Sequence, residues 1–186
     1  MVPLVSLWLP ILLSAVFVFF ASFLVHMLLP FHRSDHKKLP EEDKVADALR
    51  PFDIPPGNYM LPHPGSPEHM RSEEFKQKHV RGPIAIMTIV KPGPMAMGKE
   101  LTQWFVYCLV VGVFAAYIAG RALPAGTNYL QVFRFAGATA FMCYAVAMWQ
   151  ESIWYKRSWG TTVRYTIDGL IFGLLTAGTF GWLWPR

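Results

Sequence analysis

Charge, cysteine and catalytic signatures are what this chain has little of. Only 16% of its 186 residues are Asp, Glu, Lys or Arg, where a soluble domain carries about a quarter. A disordered chain, which stays solvated by being poor in apolar residues and rich in charge, is excluded. The two cysteines, Cys108 and Cys143, lie in apolar runs, outside any CxxC or Cys/His cluster. That excludes a disulfide scaffold and leaves no zinc or iron–sulfur motif. No GxGxxG follows a strand, and no P-loop, GxSxG or HExxH is present. No internal repeat is visible. With no catalytic set to build on, the expectation is a protein that is not an enzyme, with no cofactor and no metal site.

Apolar residues are abundant instead. They make up 53% of the chain, 15% of it aromatic, and the mean hydropathy is +0.30. A membrane protein is the class that remains. The net charge is +5. Between Phe31 and Glu100 the basic and acidic residues nearly balance, so nucleic acid is not an expected partner. The remaining cations, Arg121, Arg134, Lys156, Arg157, Arg164 and Arg186, flank or enter apolar runs, where cations face lipid head groups.

Four runs are long enough to cross a hydrocarbon core of about 30 Å. Leu4 to Pro30 carries no charge. It lacks the basic start and the small-residue cleavage site of a signal peptide, so it reads as a retained helix, bent at Pro10. Leu101 to Arg121, Tyr129 to Gln150 and about Thr161 to Trp184 follow. The fold class predicted is therefore an all-α membrane protein of four transmembrane helices in a 1+3 arrangement. Its organisation is a first transmembrane helix over 1–30, a Pro-rich insertion over 31–100 and a three-helix transmembrane domain over 101–186. Lys and Arg concentrate after spans one and three. The positive-inside rule then makes 31–100 cytoplasmic and both termini periplasmic, in a cell inner membrane.

The insertion is small and partly extended. Pro40 to Leu49 reads as a short helix, opened by Pro and acids. Pro51, Pro55, Pro56, Pro62, Pro64 and Pro67 impose an extended path. Pro67 to Val80 reads as a surface helix. Pro83 to Val90 is apolar and β-branched, and ends at Lys91-Pro-Gly-Pro94. It predicts a strand, with Tyr59 to Pro62 as its partner in a short β-hairpin. Such a strand packs on the chain's own loop and span ends, or presents an edge to a partner.

Within the spans, small residues recur every four positions: Gly169, Gly173, Ala177 and Gly181 in the fourth, and Gly112, Ala116 and Gly120 in the second. Such stripes let helices approach closely, within one chain or between subunits. Asp168 is the one acid well inside a span. Arg164, four residues earlier, lies on the same face, which predicts an intramembrane ion pair, with a proton or substrate role as the alternative. His26 is the one intramembrane histidine and a candidate ligand to a haem or chlorophyll-type pigment; hydrogen bonding at an interface is the simpler role. His32 and His36 share a helical face only if the first span continues past Pro30, and no third ligand stands at a metal-binding spacing. Counted from the span ends, His26, Gln103, Tyr107, Cys108, Cys143, Tyr144 and Asp168 share one depth, where they could line a polar pocket or simply bond between helices.

The stretches Leu9-Pro-Ile-Leu-Leu-Ser-Ala-Val16, His32-Arg-Ser-Asp-His-Lys-Lys-Leu-Pro40 and Asp168-Gly-Leu-Ile-Phe-Gly-Leu-Leu-Thr-Ala-Gly-Thr-Phe-Gly-Trp-Leu-Trp-Pro185 resemble an uncharacterised bacterial family of small four-span integral membrane proteins. The resemblance implies a bacterial inner-membrane protein and brings no activity with it. The function expected is a non-enzymatic accessory subunit of a larger membrane complex, a respiratory or photosynthetic energy-transducing assembly being favoured. Other membrane subunits and lipids would be its partners. One alternative is a small transporter or channel using Arg164 and Asp168. The other is a haem- or pigment-binding protein using His26.

Overall fold

The computed structural model describes residues 1–186. A 3-10 turn, Leu4–Leu7, leads into helix α1 (Trp8–Phe23), which continues as a π-helical turn, Leu24–Leu28. Helix α2 (Glu42–Leu49), strand β1 (Gly57–Leu61), helices α3 (Pro67–Arg71) and α4 (Glu73–Arg81) and strand β2 (Ala85–Ile89) follow. Helices α5 (Gly98–Ala122), α6 (Tyr129–Tyr144), the short α7 (Trp149–Ile153) and α8 (Trp159–Trp182) complete the chain. Two compact units result: Met1–Lys37 with Ala96–Arg186, and Lys38–Met95. Residues 31–37, grouped with the insertion on composition, fold with the long helices.

In the helical unit, Leu4–Leu28, Gly98–Ala122 and Tyr129–Ile153 are each long and apolar enough to cross a membrane. Helix α8 is as long but more polar, and its polar residues point inward. Thr161, Thr162, Asp168, Thr176 and Thr179 are all buried. The hydroxyls of Thr166, Thr176 and Thr179 donate to the carbonyls of Thr162, Phe172 and Leu175 four residues back. Each is thereby satisfied within its own helix. Helix α8 packs against both α1 and α6. Pro10 lies in the first turn of α1, where its missing N–H is tolerated. The irregularity there is the change from 3-10 to α geometry just before it.

The small-residue stripes are spent inside this unit. A Cβ built on Gly169 would lie 2.6 Å from the Cβ of Ala145, and one on Gly181 would lie 2.7 Å from the ring of Tyr129. Gly173 meets the Phe141 backbone and side chain, and a Cβ on Gly137 of α6 would lie 2.8 Å from the Cβ of Ala177. On α5, Gly112 faces Ile11 of α1 and Gly120 faces the Val2 carbonyl, while Ala116 is fully buried. Close backbone approach replaces the exclusion of water as the source of cohesion where lipid is the solvent. Larger side chains fill the remaining space in two layers. Leu7, Val132 and Phe180 lie in one; Val18, Val111 and Phe172 lie in the other.

Both chain ends and the α5–α6 turn meet at one end of this unit. The Val2 amide donates to the Gly120 carbonyl at 2.8 Å, the Gly126 amide to Pro185 at 2.9 Å, and the Trp184 indole to Pro124 at 3.0 Å.

In the second unit, β1 and β2 pair as the expected antiparallel hairpin, in a register that sets Tyr59 opposite Met87. The helix expected over Pro67 to Val80 is two helices. Ser72 is extended (φ −66°, ψ 150°), and its hydroxyl accepts from the Phe75 amide, capping α4. A serine able to offer that bond competes with helix continuation. Phe75 is the only buried apolar side chain of Lys38–Met95.

Candidate functional site

The site begins at Pro30. A residue before proline is pushed out of the α region, and Leu29 is extended (φ −85°, ψ 144°). The chain then folds back in a 3-10 turn, Pro30–His32. This reversal sets the His32 ring against that of His26, with centroids 4.2 Å apart. His26 itself lies in the π-helical turn, a local geometry that recurs at functional sites. Helix α8 supplies the opposite wall, with Arg164, Tyr165 and Asp168.

The helical spacing pairs Arg164 with Asp168. The structure corrects this: the two do not pair. The Arg164 Nε donates to the Asp35 carboxylate at 2.7 Å and a terminal nitrogen donates to the same oxygen. His32 Nδ1 lies 2.6 Å from the other Asp35 oxygen. The Asp35 side chain is 3% exposed. Burial alone would raise its pKa, but hydrogen bonds from His32, Arg164 and Thr161 outweigh it and hold the carboxyl below its ordinary value. Asp35 is therefore an anchored carboxylate that orients an imidazole on one side and engages a guanidinium on the other.

Asp168 belongs to His32. Its Oδ2 lies 2.9 Å from His32 Nε2. Both oxygens of this buried carboxylate, and His32 Nε2, have no hydrogen-bond partner among the protein's groups. Ligand-capable atoms of His26, His32 and Asp168 all fall within 4.8 Å of one another. Sequence spacing offered no metal set. The missing residue was His32, 136 positions from Asp168 and brought to it by the turn at Pro30. The one signal in the sequence was a histidine two residues past a proline that ends a long apolar run.

These groups stand at the edge of a cavity of about 550 Å3. Phe19, Phe23, Trp104 and Phe172 make its apolar walls, while His26, Glu100 and Asp168 are its acidic and histidine lining residues. No Lys or Arg lines it. The Trp104 indole donates to the Ser22 hydroxyl at 2.8 Å, which fixes one wall. Of the groups placed at a common depth by counting, His26, Tyr107, Tyr144 and Asp168 do line one cavity, whereas Gln103, Cys108 and Cys143 do not. Cys108 is buried in the apolar core. The Cys143 carbonyl accepts from the Tyr107 hydroxyl at 2.7 Å. The volume lies within the range of about 300–1,000 Å3 usual for small-molecule sites.

Fold and site are those of a candidate multi-pass membrane protein, with three helices long and apolar enough to cross a membrane and a polar cluster at the edge of an apolar cavity. Comparison of the chain with protein-family models, with curated proteins and with solved structures gives no match.

Proposed function

We propose that this is a four-span membrane protein that binds an amphipathic small molecule in the cavity between α1, α5 and α8. The cavity carries the reading. Its walls are aromatic and apolar, and its only acidic or histidine lining residues are His26, Glu100 and Asp168. That pattern suits an apolar body with one polar or cationic end. Phe23, Met27 and Leu101 on its rim are exposed, which fits entry of a lipid-like molecule from the bilayer. The fourth span is α8, whose inward polar face accounts for its lower hydropathy. Both termini lie on the periplasmic side of a bacterial inner membrane and residues 31–100 on the cytoplasmic side, following the Lys/Arg asymmetry.

Native mass spectrometry of protein extracted in mild detergent tests this reading. A bound adduct is expected on the wild type and should be reduced in Leu101→Trp, which fills the rim from an exposed position. An adduct indifferent to that substitution would overturn it.

The accessory-subunit role is a second reading, and the insertion favours it. With one buried apolar side chain, Lys38–Met95 holds little core of its own while exposing Phe52, Met60, Ile86 and Val90. Such a unit gains order from a neighbouring protein surface. Stoichiometric membrane subunits co-purifying with the tagged native protein, and lost on deletion of 38–95, would support it. A haem- or pigment-binding role for His26 would show as visible absorbance of the same preparation.

A further inference from the structure

We propose that His26, His32 and Asp168 bind one divalent transition-metal cation, with the remaining coordination positions facing the cavity. The site deepens the ligand-binding reading, because a metal there would sit where the polar end of a bound molecule lies.

Charge is the first argument. Asp35 and Arg164 compensate each other. That leaves Asp168, 1% exposed, facing His32 with no hydrogen-bond partner on either carboxylate oxygen. A buried carboxylate without hydrogen bonds is costly, and a bound cation offsets that cost.

Geometry is the second. Two ligands of one ion at about 2.1 Å and about 90° have donor atoms about 3 Å apart, and each lone pair points about 45° off the line joining them. His32 Nε2 and Asp168 Oδ2 are 2.9 Å apart, the separation that two ligands of one ion need. His26, exposed and in the π turn, supplies the third donor atom, within 4.8 Å of the other two.

The outer contacts are the third. Metal-binding histidines commonly donate their other ring N–H to a carboxylate, which fixes the tautomer. His32 Nδ1 against Asp35 supplies that arrangement at 2.6 Å and directs Nε2 to the cluster. Arg164 in turn holds Asp35 in place. Two imidazoles and one carboxylate, without sulfur, suit Zn2+ or Fe2+ and disfavour Ca2+ and Mg2+, which prefer all-oxygen sites.

The test uses full-length protein in detergent, carrying a tag free of histidine, stripped with chelator and titrated with Co2+. Visible absorption reports the coordination, and Zn2+ is the competitor. One Co2+ per chain, displaced by Zn2+, is expected. His26→Ala, His32→Ala and Asp168→Asn should each lose more than about 100-fold in affinity, and Asp35→Asn about 10- to 100-fold with stoichiometry unchanged. His26→Ala decides, because an exposed side chain can be truncated without unfolding the helices. Absence of stoichiometric binding, or binding unchanged in His26→Ala, overturns the proposal. Since the metal alone is the probe, that failure leaves the amphipathic-ligand reading to stand or fall on its own adduct.

Discussion

The contact between Gly169 and Ala145 holds α8 against the end of α6 beside the cavity, and moving one methyl group tests it. A Cβ on Gly169 would meet the Ala145 Cβ at 2.6 Å and the Ala145 Cα and N at 3.2 Å. Carbon atoms in ordinary contact are about 3.5–4.0 Å apart, so Gly169→Ala must open the contact by about 1 Å. Overpacking of this kind costs about 1–3 kcal/mol. The opposing gain in helix propensity is at most about 1 kcal/mol. Gly178→Ala on the same helix is the control: its nearest neighbour is the Tyr129 hydroxyl at 3.6 Å, an ordinary contact. It should be neutral or stabilising by up to about 1 kcal/mol. Ala145→Gly alone loses one buried methyl, about 0.8 kcal/mol. Combined with Gly169→Ala it returns the methyl from the other side, so the double variant should recover most of the loss, a coupling of about 1–2 kcal/mol. Equilibrium unfolding in mixed detergent, followed by far-UV circular dichroism, measures all four. Equal stability of Gly169→Ala and Gly178→Ala, or no rescue by Ala145→Gly, would refute the close-approach argument.

Other substitutions read other parts of the molecule. Gly173→Leu should disrupt the helical unit itself, because Gly173 faces Phe141 and the Gly137 carbonyl within the chain; loss of folded protein in detergent by size exclusion is expected, and a fully folded variant would show that this face is free. Gly120→Ala sets a Cβ 2.8 Å from the Val2 carbonyl, so it should detach the N-terminal segment and cost about 1–3 kcal/mol; faster hydrogen exchange at the Val2 amide checks it. Phe75→Ala removes the one buried apolar side chain of the insertion and should cost it about 3 kcal/mol or more. Limited proteolysis should then cut within 38–95 while leaving the long helices protected.

Local physics made much of the fold legible. Length and apolarity announce the runs from Leu4, Leu101 and Tyr129, because a helix in lipid must satisfy its own backbone and present apolar side chains. The hairpin follows from the apolar, β-branched run and the prolines that bound each strand, while the register that sets Tyr59 opposite Met87 comes from the structure. The four-residue stripes identify the faces that pack. They do not say against what, since a small residue permits close approach without choosing its neighbour. Ser72 shows the limit within one segment: a helix break there rests on a single hydroxyl choosing the Phe75 amide.

The site was legible only in part. Asp168, Arg164 and His26 stand out because ionisable groups are rare in apolar runs. The sequence by itself determined the number of long helices and which residues are out of place in them, since those follow from composition and period. Tertiary structure alone decided the partners. The i, i+4 relation puts Arg164 and Asp168 on one face but says nothing of a carboxylate 129 residues away that binds the guanidinium better. It was the chain reversal at Pro30 that carried His32 and Asp35 onto α8, turning an expected ion pair into a two-histidine, one-carboxylate cluster at the edge of a cavity. Which charges meet across a helix bundle depends on the path of the whole chain, and that path is not written in the spacing of any one segment.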